Sequence, residues 1–156
     1  MPFKTVVVVG LALLGVLGIG VASASSSAGS GRALNFQLVV RDAQLTYVDL
    51  GPGGPSVGDM LVKSSPLFNR SDTRRVGRAP ISCVFVDVQR PPRCNSDILL
   101  RRGTIALQGE LRNPRFVFAV TGGTGAFQNA RGEARGRVLR GDRVRLTFRL
   151  RGVGAR

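Results

Sequence analysis

From residue 34 onward the chain alternates apolar and polar positions with a period of two, the pattern of strands that bury one face. Phe36, Leu38 and Val40 share one parity, whereas Ala43, Leu45 and Tyr47 have the other. A regular strand cannot keep both sets on one side, so a bulge or bend is expected near Arg41-Asp42. Residues 51–55, built from Gly and Pro, read as a loop, and Ser71-Asp72 as turn formers. Residues 60–68 and 75–79 read as short strand or loop segments, and 81–89 as a strand apolar on both faces. Residues 98–101, 104–111 and 116–121 continue the sheet, the last again apolar on both sides. Val144, Leu146, Phe148 and Leu150 then alternate with Arg143, Arg145, Thr147 and Arg149, a half-buried final strand. No helical i, i+3, i+4 pattern persists beyond the N-terminal segment. Seven or eight strands in a chain of this length predict an all-β fold, either a closed antiparallel barrel or a sandwich.

The N-terminus does not follow this pattern. Lys4 supplies a positive start, residues 6–21 an apolar core, and Ala22-Ser23-Ala24 a small-residue cleavage signal, the layout of a secretory leader. The competing reading, an uncleaved membrane anchor, needs an apolar run of ~20 residues, longer than this one. Residues 1–24 are therefore expected to be a signal peptide and 25–33 a flexible linker. Residues 34–152 would then form one exported domain with a single core. Its localisation is read as secreted, extracellular or in the cell envelope. In an exported chain two cysteines most simply pair. Cys83 and Cys94 flank a Pro91-Pro92 turn, where an antiparallel hairpin would bring them opposite one another.

The formal net charge is +14, and every basic residue except Lys4 and Lys63 is arginine. A cationic exported protein is drawn to anionic polymers of the cell surface, and the arginines at 143, 145, 149 and 151 would provide a solvated face for such contact. Nucleic acid is not an expected partner: the arginines are interleaved with strand apolar residues, and there is one Tyr and no Trp for stacking. The chain has no histidine, which removes Ser-His-Asp and Cys-His catalysis and imidazole chemistry. Two cysteines cannot build a Cys-rich zinc site. The glycines at 122, 123 and 125 lack the Gly-Lys-Ser/Thr ending of a phosphate loop and the third glycine of a dinucleotide fingerprint. No cofactor and no metal are expected.

The stretch from Gly103 to Gly132, GTIALQGELRNPRFVFAVTGGTGAFQNARG, carries a sharper signal. A strand ending Gln-Gly, a second strand, then TGGTG-x-F and A-R-G resembles the allene oxide cyclase barrel family and its dirigent relatives. Upstream, Gly58-Asp59, Arg75-Val76-Gly77 and Cys83 stand at spacings similar to the plant cyclases without a gap. The resemblance implies an eight-stranded antiparallel β-barrel around a cavity for a small hydrophobic ligand. It also implies a homotrimer whose packed walls cover the outward apolar positions, and an isomerase-like cyclisation or a stereoselective coupling.

Several site residues follow from the same resemblance. Asp49 lies where the cyclases carry a glutamate that holds developing positive charge. Asp42, in Arg41-Asp42-Ala43, is similar to the pocket aspartate of dirigent proteins, and Arg131 matches the arginine of their A-R-G motif. A carboxylate buried in an apolar barrel would have a raised pKa and could act as acid or base. Against these roles, Asp49 could cap the following loop, Asp42 could pair with a neighbouring cation, and Arg131 could fix a loop. Cys83 matches a lone pocket cysteine of the plant enzymes, the alternative to a disulfide. Ser65 and Lys63 replace the asparagine and the aromatic of the plant water site, which speaks against jasmonate-type cyclisation. Three functions remain open: guiding cyclisation or coupling, carrying an apolar metabolite without turnover, or a structural envelope role with the cavity filled by side chains.

Overall fold

The computed structural model describes residues 32–154. The expected leader, and all of the expected linker but its last two residues, lie outside the described residues. Nine antiparallel strands follow in order: β1 (Arg32–Val40), β2 (Thr46–Val48), β3 (Met60–Phe68), β4 (Arg75–Val84), β5 (Arg93–Leu100), β6 (Gly103–Glu110), β7 (Arg115–Gly123), β8 (Arg131–Leu139) and β9 (Arg143–Val153). Each of β3 to β9 pairs with the next, and β9 returns to β1. β1 closes the ring by pairing Val39 and Val40 with Phe68 and Leu67 of β3. The result is a closed eight-stranded barrel with β2 as an extra short strand, so the barrel and not the sandwich is the fold.

β2 lies on the same edge of β3 as β1, at the other end, with Thr46 to Val48 opposite Val62 to Met60. β1 and β2 are thus one edge strand broken at residues 41–45, where Asp42 takes a left-handed φ of 50°. That is the bend required by the parity change. The segment 81–89 behaves differently from expectation. β4 ends at Val84, residues 85–92 turn, and Val86 and Val88 stand 56% and 48% exposed. Beyond Val84 the backbone has no strand partner: Phe85 N–H instead donates to the Asp59 carbonyl at 2.9 Å. Apolar composition alone could not reveal that loss of pairing.

β8, sequence RGEARGRVL, has no apolar alternation to announce it. Its inward positions are Gly132, Ala134 and Gly136, followed by Val138 at the cavity; a Cβ on Gly132 would come within 2.0 Å of the Arg149 carbonyl, and Gly136 is small because a large neighbour occupies its space. Gly136 lies opposite Phe116, and a Cβ there would come within 2.0 Å of the Phe116 ring. Gly109 likewise faces Phe118, whose ring would be 2.6 Å from an added Cβ. Large-against-small pairing across β6, β7 and β8 is how a narrow barrel accommodates its aromatics.

One end of the barrel is plugged. Ile98, Ile105, Phe148 and Leu150 are almost fully buried there, and Phe36 stacks on Phe148 with ring centroids 4.6 Å apart. The TGGTG-x-F segment closes this end. Thr124 N–H donates to the Thr104 carbonyl, and a one-turn 3₁₀ segment, Gly125–Phe127, swings Phe127 inward. A Cβ on Gly123 would lie 2.5 Å from the Phe127 carbonyl, and Gly125 has φ of 57°, so glycine is required at both. The motif that carried the resemblance is therefore a plug made of backbone. Cys83 and Cys94 are directly opposed on β4 and β5, buried, and joined in a disulfide.

Candidate functional site

The unplugged end opens into a cavity of about 610 Å³. The inward positions of successive strands form its floor and wall: Val40, Leu61, Ser65, Ala79, Ile81, Ser96, Leu107, Phe116, Phe118, Val144 and Leu146. The broken edge strand supplies Ala43, Gln44 and Leu45, and the β6–β7 and β8–β9 turns bring Leu111, Arg112, Asn113, Asp142 and Arg143 to the rim. Among the described residues the deep part carries no charge. Its polar groups are two hydroxyls: Ser65 Oγ donates to the Asp42 carbonyl at 2.8 Å and Ser96 Oγ to the Pro80 carbonyl at 2.9 Å. Each hydroxyl has spent its proton on the barrel wall and keeps lone pairs to accept from a guest.

Charge is confined to the rim, where exposure spares it the penalty of burial. Asp142, at φ of 47°, projects from the β8–β9 turn, whose backbone is held by Ala43 N–H donating to the Asp142 carbonyl at 2.9 Å. Next to it, Arg143 Nη1 lies 3.2 Å from Asp72, which also takes Arg41 Nε at 2.7 Å. The hydrogen bonds and charges of Arg41 and Arg143 hold the Asp72 carboxyl below the usual carboxylate range. Arg41 in turn lies 4.0 Å over the Phe68 ring. This clamp ties the 41–45 break, the β3–β4 turn and the start of β9 together at the mouth.

The sequence candidates do not converge on this cavity. Asp42 turns its carboxylate to Lys63 at 3.1 Å and is largely exposed; only its carbonyl, through Ser65, touches the wall. Asp49 is exposed and accepts from Gly54 N–H at 3.3 Å, capping the loop that follows it. Arg131 starts β8 at the plugged end, opposite Arg151, and its Nη1 donates to the Ala130 carbonyl at 2.8 Å. Asp49 and Arg131 are therefore not brought together, and neither lines the cavity.

A different aspartate is the buried one. Asp59, fully buried, accepts from Tyr47 Oη, Leu50 N–H at 2.9 Å, Ser56 N–H at 2.6 Å and Ser56 Oγ at 3.1 Å. The Tyr47 bond above all, then the backbone bonds, lower its pKa to about 2, and the same contact raises that of Tyr47 to about 12. Gly58-Asp59 was legible as a motif, and its role is to anchor the 49–58 loop. Asp142 was not legible, because only the barrel's curvature places it beside residues a hundred positions away.

These features define a class: a closed antiparallel barrel, plugged at one end, around an uncharged cavity open at the other. The sequence matches the allene oxide cyclase barrel like domain over residues 39–148, and the chain belongs to that family. No curated protein matches it. Among solved structures it is similar to a pyocyanin demethylase, with TM-score 0.65 and 29% identity over 74% of this chain and 99% of that one. It resembles a pterocarpan synthase dirigent protein in fold (TM-score 0.63, 17% identity, 78% and 85% of the two chains). An exo-specific intermolecular Diels-Alderase is similar at TM-score 0.58 and 16% identity, over 80% of this chain and all of that one.

Proposed function

We propose that the protein binds one small hydrophobic molecule in the barrel cavity and guides its cyclisation or coupling by holding it in a reactive shape. The observation that carries this reading is the cavity itself. Its volume of about 610 Å³ lies within the ~300–1,000 Å³ of small-molecule sites, and its wall is apolar with two acceptor hydroxyls. An open cavity argues against a structural protein whose core is filled by its own side chains. The uncharged depth argues for confinement over proton transfer at the reacting atoms. Confinement alone lowers barriers substantially when it replaces a search among conformers. The names of the similar proteins support a small-molecule site: a pterocarpan synthase and a Diels-Alderase are named for making ring compounds, and a pyocyanin demethylase for a different reaction on a small molecule. We further infer an oxidising, exported setting, supported by the Cys83–Cys94 disulfide and the leader-like N-terminus.

The test uses a fluorescent anilinonaphthalene probe and two variants that fill the cavity, Ser96→Phe and Ala79→Leu. Both should keep the cooperative melt and lose probe binding by at least about tenfold, the equivalent of some 1.4 kcal/mol. Unchanged affinity in both would sink the cavity as the binding site. Chiral analysis of a prochiral substrate that closes spontaneously separates guide from carrier. Enantiomeric excess that disappears in Ser96→Phe marks guidance, and racemic product despite binding marks a carrier.

A further inference from the structure

The outer wall of β7, β8 and β9 carries an arrangement that the cavity does not use. Arg115 lies directly opposite Arg137, and Arg137 directly opposite Arg145, so three guanidinium side chains stand in one row across three adjacent strands. Strands are ~4.8 Å apart, so the row spans about 10 Å at its base. One step along the strands, a second row runs Gln37, Thr147, Arg135 and Val117. Further along, Arg131 faces Arg151, and Arg149 stands opposite Glu133. Among the described residues, Glu133 takes Arg135 at 2.8 Å and Arg149 at 3.8 Å, while Arg115, Arg137 and Arg145 have no carboxylate partner. Like charges directly opposite one another destabilise a sheet. The free protein therefore carries a local strain that a bound anion would relieve.

We propose that this face is a binding groove for an acidic polysaccharide. The wall is hollowed there into a groove of about 850 Å³ lined by Gln37, Arg115, Arg135, Arg137, Arg145 and Thr147; Glu110 also lines it, its carboxylate taken by Arg112 at 2.8 Å. A groove suits a single narrow chain better than a flat bilayer. The arginines offer forked donors for carboxylates or sulfates spaced along a chain. Gln37 and Thr147, directly opposed, supply neutral donors and acceptors for the hydroxyls between the charges. The aromatic that borders the groove, Phe116, is buried and packed on Phe118 with ring centroids 4.8 Å apart, so among the described residues the site offers no exposed stacking platform for single-stranded nucleic acid. A second copy of the chain is a poor occupant as well, because the whole sequence holds only 9 acidic residues against 23 basic ones.

The probe is polygalacturonate, tested by titration against the purified protein over a range of salt. Arg115→Gln/Arg137→Gln/Arg145→Gln should weaken binding roughly tenfold or more and flatten the log–log salt slope by about one unit per lost contact. Arg78→Gln/Arg93→Gln, on the far wall, should stay within about twofold of the parent by the same reasoning. The melting temperature gives an independent readout. The triple variant should melt no lower than the parent in the absence of polymer, because like-charge repulsion is removed. The parent should be stabilised by polygalacturonate and the triple variant should not. Equal binding by parent and triple variant would overturn the proposal. So would no binding at 50 mM salt, tighter binding to duplex DNA or to phosphatidylserine vesicles, or self-association that the triple substitution abolishes.

Discussion

Gly136→Ala tests the packing that shapes the cavity. Gly136 sits in ordinary strand conformation on β8, so alanine suits its backbone and the effect falls on the neighbour. The new Cβ would lie 2.0, 2.3 and 2.4 Å from three carbons of the Phe116 ring. Carbon atoms rest at about 3.5–4.0 Å, so the ring must retreat by about 1.5–2 Å. Overpacking of this kind costs about 1–3 kcal/mol. Phe116 has an escape that most core residues lack, because one side of its ring borders the open cavity. The expected loss is therefore at the low end, near 1 kcal/mol, or roughly 3–5 °C in Tm for a domain of this size. The displaced ring should occupy part of the ligand space, so probe affinity should fall about tenfold. Leucine lacks the atoms that clash, so Gly136→Ala/Phe116→Leu should recover most of both losses. Thermal melts and probe titrations on the four members of this cycle measure the coupling. If Gly136→Ala matched the parent in both assays, Phe116 would not rest on Gly136 and the account of β8 would be wrong.

Removing the disulfide by Cys83→Ala/Cys94→Ala should cost roughly 3 kcal/mol, from the loop closed across a sequence separation of 11. Titration of the unreduced, denatured parent should find no free thiol. Asp59, with its pKa lowered to about 2 from 3.8, contributes stability that is present above pH 4 and lost as pH falls through 2. Tyr47, raised to about 12 from 10.0, contributes stability that is present below pH 10 and lost as pH rises through 12. Asp59→Asn should flatten the acid limb of a stability profile and speed proteolysis in the 49–58 loop; an unchanged acid limb would deny Asp59 its anchoring role. Asp49→Asn and Arg131→Ala should leave probe affinity within about twofold, since neither side chain lines the cavity; a large loss in either would return it to the site. Light scattering should give a mass near three chains, with Leu99, Val86 and Val88 providing exposed apolar cover. A monomer at micromolar concentration would refute the trimer.

Strand character, the bend at Arg41-Asp42 and the paired cysteines were legible in the sequence because each depends on neighbours a few residues away. Period-two alternation marks a half-buried strand wherever it lies, and the left-handed φ of 57° at Gly125 is a local backbone requirement for glycine. β8 was hidden by the opposite circumstance. Its inward positions Ala134 and Gly136 are small because Phe118 and Phe116 lie opposite them on another strand, and no local pattern reports a partner's bulk. The end of β4 at Val84 was hidden too, because only the pairing partner decides where a run of apolar residues ceases to be strand. The site depends on closure in the same way. Ser65, Ser96, Phe116, Asp142 and Arg143 meet at one end only because β1 returns to β3 and the ring curves. Asp42, Asp49 and Arg131, plausible by motif, are turned elsewhere by Lys63, by the cap on Gly54 and by the plugged end. The arginine row illustrates the division most directly. Composition shows that the chain is cationic, but only the register of β7, β8 and β9 sets Arg115, Arg137 and Arg145 side by side, where their repulsion becomes a property of one face.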